Sequence, residues 1–296
     1  MVHLRRGGRS TCCYHNTNNA VLCRLGGVMW QMLNRWLTRC PVHLQEMGFD
    51  RELWGIRRRY EQFRPEWEAH CAQAKRVILD AVRRCSQHRH AILFGSGWLH
   101  DVPLIELSNI FQRVTLVDLL HPFSVRWYVR GRFSNVRLLE ADLSGVLLDA
   151  WRAVERQESI LPVSRPELFL DEPDVDLVVS LNLLSQLPCM PSWYLKKVGR
   201  FPEKQVELFN RQLVEAHLDY LGRLPGVVCL IGDVEMITRT PAGAEVARRS
   251  TLYGADFPFC GEEWEWQLIP RADRPPYNSQ SLRVIAVPEV KQARGR

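Results

Sequence analysis

Four groups of residues in this 296-residue chain have types and spacings suited to chemistry. Gly95-Ser96-Gly97 follows the apolar run Ala91 to Phe94. A turn without Cβ atoms lets backbone approach a ligand closely where a strand hands over to a helix, so it is read as facing a nucleotide-like cofactor. Asp118 ends the next apolar run, 21 residues after Gly97, where a carboxylate can accept bonds from both hydroxyls of a ribose. Ser180, Asn182 and Gln186 surround the end of a later run, and each can donate and accept, which suits orienting a polar acceptor. Gly232-Asp233-Val234-Glu235 closes a fifth run, with Asp233 or Glu235 as a base on a hydroxyl or amine. Each group also has a plainer reading: a tight turn, helix-capping acids, polar caps where a strand enters a helix, and an ordinary strand-end turn.

Positioning these groups on one edge requires a sheet. From about residue 85 onward apolar runs alternate with helical periodicity, the texture of parallel strands joined by helical crossovers. Strands are expected at Ala91 to Phe94, Val114 to Val117, Val136 to Leu139, Val175 to Leu181 and Val227 to Ile231. Trp264 to Ile269 and Leu282 to Val287 are separated by a polar, proline-rich stretch with no helix, so they pair antiparallel. The segment holding Pro188, Pro191 and Pro202 reads as a loop before a long helix through Val206 to Leu221, and Tyr194, Lys196, Lys197 and His217 are read as completing a substrate lid. The fold expected is α/β, a doubly wound, mostly parallel seven-stranded sheet with an antiparallel last strand and an N-terminal helical cap. Its divisions are an arm over 1–28, a cap over 29–84, the α/β domain over 85–290 and a basic tail over 291–296.

Over residues 85–290 this pattern resembles the S-adenosylmethionine-dependent methyltransferases of the Rossmann-like type. The resemblance implies S-adenosylmethionine as cofactor, held by Gly95, Ser96, Gly97, Asp118, Asp142 and Leu143, with Asp142 against the adenine amino group. It places Asn182 beside the reactive methyl, with Asp233 as the second catalytic candidate, and implies a small polar acceptor. This sequence departs from the family at Leu93, where an acid normally helps hold the amino-acid portion of the cofactor, and at Leu99, where a third glycine would fall; Asp101 stands as a substitute acid. A noncatalytic scaffold with the site eroded at Leu93 and Leu99 is the competing reading.

Dinucleotide binding calls for Gly-x-Gly-x-x-Gly, and the third glycine position is His100. The antiparallel last pair also favours the methyltransferase pattern over an NAD-dependent oxidoreductase. The chain has no Gly-x-Ser-x-Gly elbow, Walker-type turn or His-Glu-x-x-His pair. Cys85 to His90 lacks a second ligand pair, so no metal is expected. Arg57-Arg58-Arg59 spreads around a helix as a solvated face. The formal charge of +6 lies at the ends: residues 1–28 carry +4, residues 291–296 carry +3, and −1 remains between. A nucleic-acid partner is therefore not expected. Nine scattered cysteines without a Cys-x-x-Cys pair indicate reduced thiols and a cytoplasmic protein. No apolar stretch is long enough to span a membrane, and polar Cys12 to Asn19 stands where a signal peptide would be apolar. Residues 1–28 lack periodicity and read as a disordered arm, or as sequence upstream of a start at Met29 or Met32. The cap helices are read either as a cover that selects substrate or as a dimer surface.

Overall fold

A computed structural model of the chain describes residues 32–34, 36–270 and 278–293. The arm over 1–28 lies outside them, as does the end of the basic tail. After helical residues at 32–34 and 36–37, the described residues form α1 (Val42–Glu46), α2 (Phe49–Gln62) and α3 (Arg64–Val82). Phe63 separates the last two, and Pro65 opens α3 in the first turn, where a missing N–H costs nothing. The alternating region follows as β1 (His90–Phe94), α4 (Leu104–Ile110), β2 (Arg113–Asp118), α5 (Phe123–Arg132), β3 (Val136–Glu140), α6 (Leu147–Glu155) and β4 (Val175–Leu181). Then come α7 (Cys189–Lys197), α8 (Glu203–Arg223), β5 (Val227–Arg239), β6 (Glu245–Ser250), β7 (Glu262–Ile269) and β8 (Ser279–Val287).

The strands form one sheet in the order β3-β2-β1-β4-β5-β8-β7, with β6 paired to β5 off this path. Strands β1 to β5 run parallel, while β8 is antiparallel to both β5 and β7. Every residue of β1 is buried, because both faces of the sheet are covered. Ala91 and Leu93 pack with Trp67, Ala74 and Ile78 of α3 on one face; Ile92 and Phe94 pack with Val214, Leu218 and Tyr220 of α8 on the other. The doubly wound sheet with antiparallel C-terminal strands is thus the architecture. Among the described residues no helix is long and apolar enough to cross a membrane.

Three expectations are corrected. The sheet has eight strands rather than seven. All six residues of β6 are exposed and show no apolar alternation, so its strand character comes from the ladder with β5 and from ion pairs such as Arg248 with Glu235, 2.9 Å apart. Strand β5 does not turn after Ile231. It leaves β4 there and continues to Arg239, because β8 and then β6 supply partners for its backbone. Finally, the proline-rich segment contains α7: Pro188 is its N-cap and Pro191 lies in its first turn, where proline is tolerated.

Candidate active site

The carboxyl edge of the sheet opens into a cavity of about 550 Å³. Gly95, Ser96, Gly97, Asp118, Asp142, Leu143, Asn182 and Asp233 all line it. Residues distant in sequence meet here because β1, β2, β3, β4 and β5 all run parallel and end on the same side.

The glycine turn has two different reasons for its composition. Gly95 has φ +77°, and a Cβ there would stand 2.4 Å from the carbonyl oxygen of Leu181, so glycine is what lets β1 and β4 close together. Gly97 has φ +40°, and a Cβ there would meet only Asp118 Oδ2, at 3.8 Å; its open side is a surface a ligand can approach. Leu99 adopts φ +65°, a left-handed conformation rare outside glycine, and its N–H bonds to Ser96 at 2.9 Å. Leu99, where the resemblance would place a third glycine, thus takes the left-handed conformation that glycine favours. Ser96 is buried, and its hydroxyl is engaged with His121 Nε2, 3.1 Å away.

Asp118 closes the turn from the neighbouring strand. Its Oδ2 accepts the Gly97 N–H at 2.7 Å and its Oδ1 accepts the Leu119 N–H at 2.8 Å. The Leu120 N–H bonds to the same carboxylate, so three backbone donors leave it one further acceptor site. Burial pushes this carboxyl up to about 6, against the pull of the backbone N–H groups. Asp142 accepts from Ser144 N and Ser144 Oγ through Oδ1, and from Leu147 N through Oδ2 at 2.8 Å, so it organises the start of α6 as well as lining the cavity. Leu143 is buried in the apolar cluster beneath.

On the β4 side, Asn182 follows the strand with φ +49°. Its amide nitrogen donates to Asp101 Oδ2 at 2.8 Å and lies 3.0 Å from His70 Nε2. Behind it, Trp264 Nε1 donates to His70 Nδ1 at 3.1 Å. Burial holds His70 neutral by lowering its pKa to about 3. A neutral imidazole that accepts on Nδ1 carries its hydrogen on Nε2, so His70 offers Asn182 a donor. The amide oxygen suits His70, whereas the amide nitrogen suits an ionised Asp101, and one position cannot serve both. The conflict disappears when Asp101 carries a proton, and burial raises that carboxyl to about 6.

Asp233 is buried, with Oδ1 accepting from Ser185 Oγ at 2.7 Å, and burial raises its pKa. It sits within the continuing strand and not in a turn. Glu235 is bound by Arg248 and Arg283, each at 2.9 Å, and does not line the cavity, so it is not a free base. Ser180 is turned away to His217, 2.9 Å distant, and both are buried. The lid reading of Tyr194, Lys196, Lys197 and His217 is corrected as well: Tyr194 and His217 are buried in the core, and none of the four lines the cavity.

No protein-family model matches the chain, and no curated protein does. Solved structures do resemble it. The 23S rRNA methyltransferase ErmE is 13% identical, over 74% of this chain and 68% of that one, with a TM-score of 0.30. The glycopeptide N-methyltransferase MtfA, complexed with S-adenosylmethionine, is 14% identical over 74% of this chain and 79% of that one, at 0.31. Phosphoethanolamine N-methyltransferase 1 of Haemonchus contortus is 12% identical over 80% of this chain and 51% of that one, at 0.30. The strand order and directions decide the class. The fold is Rossmann-like.

Much of the wall of this Rossmann-like edge was not legible as a site. Trp67, His70 and Cys71 come from α3, Arg59 from α2, Trp266 from β7, and Arg249 and Tyr253 from β6 and the turn beyond. Arg59 is not a solvated arginine: it donates to Glu52 and leaves Nε buried without a partner. Trp266 Nε1 is likewise unpartnered, and its ring stacks on His70 at 4.0 Å. Trp98 joins the glycine turn to α2 by donating to the Leu53 carbonyl at 2.8 Å, with Arg57 over its ring. Helical spacing signals which of these residues are inward, but not that the inward face borders a cavity.

Proposed function

We propose that this chain transfers a methyl group from S-adenosylmethionine to a small polar acceptor. The observation that carries the reading is the Gly97 to Asp118 bond in the cavity wall, which joins an open glycine turn to a carboxylate with acceptor capacity still free. Such a pair fits a ribose with two neighbouring hydroxyls, held against bare backbone. The cavity of about 550 Å³ falls in the ~300–1,000 Å³ range of ligand sites. Asp142 and Leu143 border it on the β3 side, where an adenine ring would rest on the Leu143 side chain.

Bound there, the cofactor supplies a methyl group on a positively charged sulfur. The protein's part is positioning, since in-line attack needs reacting atoms held in line more than it needs dedicated acids or bases. Asn182, fixed between His70 and Asp101, orients polar atoms at the β4 edge. Asp233, buried and raised by that burial, is the candidate to take a proton from the acceptor. Residues of α2 and α3 roof the cavity, which supports residues 29–84 as a cap that selects substrate for the domain over 85–290. A wall that includes Trp67, Trp98, Tyr253 and Trp266 and a net charge of −1 over residues 29–290 favour a small acceptor over a nucleic acid.

The test is calorimetric titration with S-adenosylmethionine, S-adenosylhomocysteine and NAD, using Asp118→Ala as control. Micromolar binding of the first two that is lost in the variant supports the proposal. Binding of NAD alone moves the assignment to oxidoreduction, and binding of none favours a scaffold. A steep fall of acceptor affinity with salt would point to nucleic acid.

A further inference from the structure

Among the described residues two arginines and no lysine line the cavity. Arg59 is paired with Glu52. Arg249 belongs to β6, where successive side chains leave opposite faces of the strand. Arg248 is bound by Glu235 and Glu245, each at 2.9 Å, whereas Arg249 has no carboxylate partner among the described residues. Its hydrogen bond is to the sulfur of Met236, 3.2 Å away in the residue opposite it on β5, and a thioether is a weak acceptor that leaves the charge unmatched. All six residues of β6 are exposed, so the strand adds nothing to the core; what it adds to the cavity wall is Arg249 and Ser250. Tyr253 lines the same wall in a left-handed conformation, φ +54°, and its hydroxyl makes no hydrogen bond among the described residues. Tyr253 faces Cys189, Asp233 and Arg249, and Cys189 in turn faces Glu52, Arg59 and Asp233. Burial pushes the Tyr253 hydroxyl up to about 12, so it stays a donor. Thr251, two residues past Arg249, donates to the Asp233 carbonyl at 3.0 Å, and two residues of extended chain span roughly 7 Å. Arg249 therefore stands at the Asp233 end of the cavity, beside β5 and four strands across from Asp142 and Leu143 after β3.

We propose that the methyl acceptor carries an anionic oxygen group, a carboxylate or a phosphate, held by Arg249 at the surface end of the cavity with the Tyr253 hydroxyl as second donor. The inference rests on the methyl-transfer reading above and names its substrate class. A guanidinium presents its N–H groups as a planar fork that takes two oxygens of such a group at once, and here no acid of the chain occupies the fork. Glu52 does not compete, because Arg59 already holds it. Asp233, the other acid at this end, is engaged by Ser185 and Thr251. The remaining carboxylates of the wall, Asp101, Asp118 and Asp142, follow β1, β2 and β3 and belong to the opposite side. With its anionic group at exposed Arg249, the acceptor extends inward, so that its reacting atom lies toward Asp233 and Asn182. A charge fixed at one end of a small molecule limits the orientations of the other end, which is what in-line attack requires.

The experiment titrates the full chain, loaded with S-adenosylhomocysteine, with inorganic phosphate in one arm and acetate in the other, and follows the melting temperature. Sodium chloride at the same ionic strength is the control for general screening. The expected result is that at least one anion raises the melting temperature beyond chloride, and that Arg249→Gln weakens that anion by about tenfold, as loss of a charge-assisted bond requires. Arg249→Lys, which keeps the charge and loses the fork, should weaken it by less, and Tyr253→Phe by about threefold. An unchanged affinity for S-adenosylhomocysteine in Arg249→Gln shows that the variant is folded. A response to phosphate alone assigns a phosphorylated acceptor, a response to acetate alone assigns a carboxylate, and a response to both supports the shared chemistry. No response beyond chloride, or one that Arg249→Gln leaves unchanged, overturns the proposal while S-adenosylhomocysteine binding keeps the cofactor reading. If the wild type does not bind S-adenosylhomocysteine, the cofactor reading falls and the acceptor assignment falls with it, whatever the anions do.

Discussion

The backbone N–H of Gly97 reaches Asp118 Oδ2 at 2.7 Å, binding the turn after β1 to the end of β2 across 21 residues of sequence. This single bond fixes the two features that a ribose would meet, bare backbone and a carboxylate, in one geometry. Asp118→Ala leaves the Gly97 and Leu119 N–H groups without their acceptor, at a cost of about 1–3 kcal/mol in stability. It should also weaken S-adenosylhomocysteine by at least about tenfold, whereas Asp118→Asn, which keeps one acceptor oxygen, should fall between. Chemical denaturation and calorimetry on the same samples separate the two effects.

The two glycines of the turn should fail differently. Gly95→Ala places a methyl 2.4 Å from the Leu181 carbonyl oxygen in a backbone conformation with φ +77°, so β1 and β4 must part. A stability loss of about 3 kcal/mol or more, or insoluble protein, is the expected outcome. Gly97→Ala has space, with its nearest neighbour at 3.8 Å, and should cost only about 1–2 kcal/mol of left-handed strain while obstructing the ligand's approach. Melting curves with and without S-adenosylhomocysteine should therefore show a large loss for Gly95→Ala in both conditions, and for Gly97→Ala a loss mainly in the ligand-induced shift.

Stability should fall on acidification. Burial lowers His90, His100, His121 and His217 to about 4 and His70 to about 3, so below the ordinary value of 6.5 the unfolded chain binds protons that the folded one refuses. Their stabilising contribution is complete above 6.5 and is lost as pH falls toward 4. Asp101 and Asp118, raised to about 6, act in the opposite sense, because between about 6 and 3.8 the folded state holds protons the unfolded state has released. Five histidines outweigh these two acids together with Asp233, which is raised in the same direction. The melting temperature should drop between pH 7 and pH 5, and Asp101→Asn should steepen the drop by removing one opposing group.

Trp264→Phe removes the N–H that occupies His70 Nδ1. His70 is then free to carry its hydrogen on Nδ1 and accept from Asn182 through Nε2, which lets the amide nitrogen face both His70 and an ionised Asp101. The expected cost is about 1 kcal/mol for the lost bond. Nitrogen NMR of the imidazole should show the tautomer change, and the pH below which S-adenosylhomocysteine affinity declines should move down. An unchanged tautomer would show that Trp264 does not set the proton position.

The apolar runs from Ala91 to Val287 alone determined the α/β class, the parallel core strands and the antiparallel end, because burial on both faces of a sheet leaves a continuous apolar signature. The glycine turn and the acids at 118 and 142 were legible for a related reason, since strand ends in a parallel sheet fall on one edge. Tertiary structure decided what local sequence does not encode. Strand β6 exists because β5 offers it a ladder, and α7 forms although prolines stand at its start and in its first turn. His70, Trp264, Asn182 and Asp101 lie on four separate segments of chain, and only the packing of α3 against the sheet brings them into one network. Which atom holds a proton there follows from contacts made over as many as 194 residues of separation, which no spacing rule along the chain can reach.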